Sequence, residues 1–172
     1  MTTQGIIIRA LEPADIDLLY KWENSPEIQA VGESALPLSK SSLKKIIQES
    51  QLDLYSTKQA RLGIADMSNN NLLGTIDLFD LDMRHRRAGV GIMVSSDFRK
   101  AHIATNALLL FIDYCKDTLN LHQLYCNIKA SNIASLRLFK KVGFVIVGEK
   151  KDWFFQNEKW ESEYLLQKIL VD

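Results

Sequence analysis

The amino-acid sequence predicts an α/β protein, a central mixed sheet of about seven strands flanked by helices on both faces. Two observations predict it. Three strand-like runs, about Lys58–Met67, Leu72–Phe79 and Ala88–Val94, follow one another with only short connections, and consecutive strands so joined form an antiparallel meander. Strand, helix and strand then alternate between Ala88 and Lys129, which implies a parallel pair joined through a helix. At 172 residues, with no repeat, low-complexity tract or linker, the chain reads as one domain, residues 1–172. That length buries a substantial core without disulfides or metal.

Each element follows from local chemistry. Gly5–Ala10 (GIIIRA) is a short β-branched run and reads as a first strand. Pro13 suits the first turn of a helix reaching about Glu23, with Ile16, Leu19, Tyr20 and Trp22 as its inner-side candidates. Asn24-Ser25-Pro26 stops it, and Gly32, Glu33 and Ser34 read as an exposed loop. Ser39 caps a second helix from about Lys40 to Gln51. Ser68-Asn69-Asn70-Asn71 makes a hairpin turn, because asparagine tolerates positive φ. A long helix spans about His102 to Leu119, its apolar residues recurring at helical spacing. His122–Lys129 is a strand, and Ser131 or Asn132 caps a helix that ends at Gly143. Phe144–Asp152 and Trp160–Ile169 form a final pair, turning through Gln156–Lys159.

Composition narrows the function classes. Lys plus Arg equals Asp plus Glu at 21 each, so nothing in the overall charge draws the chain to nucleic acid or to a membrane. The basic run Arg84–Arg87 reads as a solvated connection. Cys115 and Cys126 have neither metal-site spacing nor a disulfide framework, and read as reduced, buried thiols. No metal site is expected. No signal peptide opens the sequence and no apolar run approaches the ~20 residues of a membrane span, which favours the cytoplasm.

The segment Phe98–Ala104 is a short basic loop running into the long helix, where backbone N–H groups and a helix N-terminus face an anion. This loop, the order of elements and four segments (IIIRALEPADID, HRRAGVGI, LNLHQLYCNIKASNIASLRLFKKVGF and KDWFFQNEKWESEYL) resemble the GNAT acetyltransferase superfamily. The resemblance covers nearly the whole chain. It is nearest to the branch of ribosomal-protein N-terminal and bacterial spermidine acetyltransferases. It implies acetyl-CoA as co-substrate and transfer to a primary amine by direct attack on the thioester. The acceptor is left open among a protein N-terminus, a polyamine and another small amine. Relatives are often dimers, and the apolar final strands allow a homodimer.

The family's pyrophosphate loop reads Arg or Gln, two residues, Gly, one residue, then Gly or Ala. Arg99 and Ala104 match its ends, and His102 stands at the glycine position. By the resemblance, Arg99, Lys100, Ala101, His102, Ile103 and Ala104 hold the pyrophosphate. The amides of Met93 and Val94 take the pantetheine arm. Asn132 matches a position that contacts CoA, although a helix-capping asparagine needs no ligand to explain it. The position from which many relatives donate a proton through tyrosine holds Phe139 here, and Tyr125 is the substitute. Asp77, Asp80 and Glu33 lie in segments bordering the acceptor cleft, where any of them could act as base through water. The catalytic candidates are therefore Asp80, Glu33 and Tyr125. Gly89 occupies a place where the spermidine enzymes carry glutamate. His102 and Phe139 motivate an alternative, a GNAT-fold protein of impaired catalysis that binds CoA or a partner.

Overall fold

The computed structural model describes every residue except Gln4, Glu27, 29–35, 50–51, 99–101, Asn157 and 171–172. Its strands are β1 (Thr2–Thr3), β2 (Ile6–Ala10), β3 (Ala60–Asp66), β4 (Leu72–Asp82), β5 (Arg87–Val94), β6 (Gln123–Lys129), β7 (Val145–Gln156) and β8 (Lys159–Ile169). The α-helices described are α1 (Ile16–Glu23), α2 (Lys40–Glu49), α3 (Leu54–Thr57), α4 (Ile103–Asp117) and α5 (Ile133–Lys141). The strands form one sheet in the order β1-β2-β3-β4-β5-β6-β8-β7. Neighbours run antiparallel except β5 and β6, which are parallel. The mixed sheet is thus as the sequence implies, and two-residue β1 is the strand beyond the expected seven.

Most element boundaries follow the signals in the chain. Pro13 opens a 3-10 turn ahead of α1, and the Ser39 hydroxyl accepts from the Ser42 amide at 3.0 Å, so Ser39 caps α2. Asn70 takes φ 61 in the hairpin after β3. Gly143 takes φ +94 after α5, the left-handed position a terminal glycine supplies. Two departures have local causes. The short α3 is nucleated by Asp53, whose carboxylate accepts from the Ser56 amide at 3.0 Å. Strand β4 runs past Phe79 to Asp82 because a bulge, with Asp80 at φ 51, absorbs a register shift against β5. The expected loop around Gly32, Glu33 and Ser34 lies outside the described residues.

The two faces of the sheet are covered unequally. Helices α4 and α5 bury the larger core through Leu108, Phe111, Cys115, Leu136 and Phe139 against Ile64, Ile76, Val90, Leu124 and Leu166. On the opposite face α1 and α2 pack Leu19, Trp22, Leu43 and Ile47 over Leu11 and Leu72. That cover sits over the β3–β4 side of the sheet. No described helix is long and apolar enough to cross a membrane.

Arg9 and Asp15 fasten β2 to the turn that starts α1. The guanidinium donates twice to the Asp15 carboxylate, at 2.8 and 3.0 Å, and the Glu12 amide adds a third bond at 2.8 Å. Burial alone would raise the Asp15 carboxyl, but the bonds from Arg9 and Glu12 outweigh it and hold it below its ordinary value. A lowered folded pKa adds stability above the unfolded value of about 3.9, and that stability is lost as pH falls through the folded value. Asp15→Asn should therefore lower stability by about 2 kcal/mol at neutral pH. Denaturant melts from pH 7 down to pH 2 check this, because the gap between variant and parent should shrink at the acid end.

Candidate active site

Strands β5 and β6 pair over only three residues, Arg87–Gln123, Ala88–Leu124 and Gly89–Tyr125, and then part. The resulting cleft, of about 290 Å³, lies between Val90–Met93 on one wall and Cys126–Lys129 on the other. Asn132, Ser135 and Phe139 also line it. The ladder with β4 decides which backbone groups face the opening. The Ser95 amide donates to the Leu73 carbonyl at 3.0 Å, which makes Gly74–Val94 a pair without mutual hydrogen bonds and Thr75–Met93 a pair with them. The N–H and C=O of Ile92 and Val94 therefore point into the cleft. Met93, expected to offer its amide there, has that amide turned to Thr75 and lines the cleft by its side chain instead.

The N-terminus of α5 borders the cleft. Asn132 caps α5, its side chain accepting from the Ser135 amide at 3.1 Å, and it also borders the cleft. Ile103 and Ala104 form the first turn of α4, whose leading amides lack partners within the helix. Arg99, Lys100 and Ala101 lie outside the described residues. His102, the cap of α4, adopts φ 57 and ψ 9, a left-handed conformation that disfavours any residue with a β-carbon. The backbone here keeps the shape glycine would take while the sequence supplies histidine. The side chain is exposed.

At the closed end of the cleft two of the catalytic candidates meet. The Tyr125 hydroxyl donates to Asp80 Oδ2 at 3.1 Å. Phe79 positions the phenol, meeting its ring edge-on with centroids 6.0 Å apart. The Phe79 ring also fills the space above Gly89, where an added β-carbon would come within 2.1 Å of it. Burial, then the hydrogen bond and charge of Asp80, push the Tyr125 phenol above its ordinary value, so it stays protonated near neutrality. Asp80 and Tyr125 both line a second, larger cavity of about 1160 Å³ on the other side of this junction. Glu33, the third candidate, lies outside the described residues.

Arg61 is a site residue that sequence reading missed. It donates to Asp77 at 2.6 and 3.2 Å and to Glu23 at 2.7 Å, and all three line the cleft. Asp77 is thereby committed to an ion pair. Glu163, almost wholly buried, is likewise held by Lys150 at 2.7 Å. Neither set is flagged by any one residue, because Arg61–Asp77 and Lys150–Glu163 are set by the cross-strand register of β3 with β4 and of β7 with β8. Cys126 borders the cleft too, but burial pushes its thiol up to about 12, so it is not ionised near neutrality.

The acetyltransferase (GNAT) domain model matches residues 6–145. The chain belongs to the GNAT acetyltransferase family. Spermidine N(1)-acetyltransferase of Escherichia coli K12 is 32% identical over 94% of this chain and 84% of its own length. The enzyme of the same name from Vibrio cholerae is 24% identical over 94% and 93%. The crystal structure of Vibrio cholerae spermidine N-acetyltransferase with CoA and spermine superposes with a TM-score of 0.86 at 22% identity, covering 97% and 96% of the two chains. This acetyltransferase takes its acyl group from acetyl-CoA and transfers it to an amine.

The cleft suits that co-substrate on its own evidence. Thr75 lies in its wall, is 1% exposed, and its hydroxyl has no hydrogen-bond partner among the described residues. Together with the outward amides of Ile92 and Val94, it gives a polar track for a chain containing amides. If His102 acts through its backbone, His102→Gly should relieve about 1 kcal/mol of strain and raise the melting temperature. Acetyl-CoA affinity, measured by calorimetry, should hold or tighten. A large loss of affinity would show that the imidazole itself holds the ligand.

Proposed function

We propose that acetyl-CoA lies along the parting of β5 and β6, and that the acceptor amine arrives from the Asp80 side of the junction. Arg99–Ala104 hold the pyrophosphate in this reading, through loop amides and the N-terminus of α4. The amine nitrogen forms a bond to the acetyl carbon, the carbon–sulfur bond breaks, and the thiol leaves. Tyr125 supplies the proton the sulfur needs and Asp80 receives the one the amine gives up. The hydrogen bond between Tyr125 and Asp80, set where the strands part, carries the proposal. Glu33 is the other candidate for the base. The protonated state of Cys126 favours direct attack over an acyl-cysteine route. Dependence on acetyl-CoA supports a cytoplasmic setting.

Tyr125→Phe should lower kcat by about a hundredfold with acetyl-CoA affinity unchanged, read as thiol release over a panel of amines. Wild-type kcat in Tyr125→Phe would remove the phenol from the mechanism. Binding of acetyl-CoA by the parent without thiol release from any amine would favour the binding-protein alternative.

Self-association through β7 belongs to the same reading. This strand closes the sheet and its outer edge has no strand partner among the described residues. Val145, Val147, Trp153 and Phe155 on it are 51 to 62% exposed, and an apolar edge of this length invites pairing with a second copy. A Vibrio cholerae relative forms a dodecamer. Sedimentation should report a dimer or larger, and Val147→Lys should shift it toward monomer; a monomeric parent at micromolar concentration would refute the pairing.

A further inference from the structure

We propose that the acceptor bears a carboxylate beside its primary amine, an amino acid rather than a polyamine; this rests on the placing of the amine at Tyr125 and Asp80. The larger cavity contains that pair, and among the described residues its charged lining is otherwise Lys58, Arg84, Arg87 and Asp82. Among those residues three cations face two carboxylates, an excess of one positive charge. Asp82 already takes Arg87, at 3.3 Å. Lys58 and Arg84 have no carboxylate partner among the described residues.

Both cations stand on braced backbone. Lys58 caps α3 in a left-handed conformation, its N–H donating to the Leu54 carbonyl at 2.8 Å. Its carbonyl accepts from the Leu81 amide at 3.0 Å, so Lys58 is tied to the residue next to Asp80. Arg84 sits in the β4–β5 turn, where Asp82 accepts from the His85 amide at 3.0 Å. The rest of the wall is neutral. Val147 and Leu165 are apolar, and Gln123 and Gln167 are hydrogen-bonded to one another.

This distribution sorts amines by what else they carry. Among the described residues Asp80 is the carboxylate of the cavity without a cation partner, and it meets one ammonium. The further ammonium groups of a polyamine would face Lys58 and Arg84, with no second free carboxylate among the described residues to receive them. A carboxylate in that place gains two charge-assisted partners, one of them the planar fork of an arginine.

The test compares amino acids, the same amino acids as primary amides, and spermidine, each with acetyl-CoA and thiol release as readout. The acids should exceed their amides in kcat/KM by about tenfold, and exceed spermidine. In Lys58→Ala/Arg84→Ala the KM of the acid should rise to that of its amide. Both side chains are exposed, so the variant should fold. An acid no better than its amide, or spermidine preferred to every acid, overturns the inference and leaves the transfer mechanism standing. Loss of acetyl-CoA affinity in the double variant assigns these cations to the co-substrate and also overturns it. Acetyl-CoA binding without turnover of any amine overturns the transfer mechanism and this inference together.

Discussion

The parting of β5 and β6 is the constraint on which the rest of the structure depends. A parallel pair normally continues until its strands run out, since an unbonded backbone group buried away from water is costly. Here the pair ends after Gly89 and Tyr125, leaving the polar groups of Ile92 and Val94 along an open wall. The protein tolerates this because each diverging strand keeps a full ladder on its other side, β5 with β4 and β6 with β8. A slot is thus cut into a sheet that stays continuous around it. Acetyl-CoA, with amides spaced along a flexible arm, suits the groups so exposed.

Charge in and around this slot is largely settled within the protein. Arg61 serves two carboxylates and Lys150 one, so Glu23, Asp77 and Glu163 hold the walls in place rather than offering a diffuse negative field. Against that background Asp80 stands out: its partner is a neutral phenol, and its backbone is held in a left-handed conformation by the bulge. Strained backbone next to a polarised pair is a recurring arrangement at reactive sites. The bulge turns the Asp80 carboxylate to Tyr125, which comes from the strand on the far side of β5.

Much of the fold was legible in the sequence, because strand and helix periods, caps and turns are local signals. Ser39, Pro13, Asn70 and Gly143 each mark a boundary through their own backbone chemistry. The site was legible in its scaffold and less so in its contacts. Tyr125 and Asp80 could be named one at a time, but their bond joins residues 45 apart in sequence and depends on a bulge that no residue type announces. Arg61 was overlooked because an arginine on a strand looks solvated until register sets it between two acids. His102 shows the opposite difficulty. Its identity argues for one backbone conformation and the fold imposes another, so the histidine conceals a glycine-like turn.

The position of β8 ties two distant properties together. It follows β7 in sequence yet lies between β6 and β7 in space, so β7 joins the sheet through β8, and β6 leans on β8 where β5 has left it. Any opening that frees β8 therefore releases the outer edge and unsupports one wall of the slot in the same event. Amide exchange along β6, β7 and β8 is expected to be governed by a single cooperative unit. Surface association at β7, by restraining that unit, would then steady the geometry of the slot two strands away.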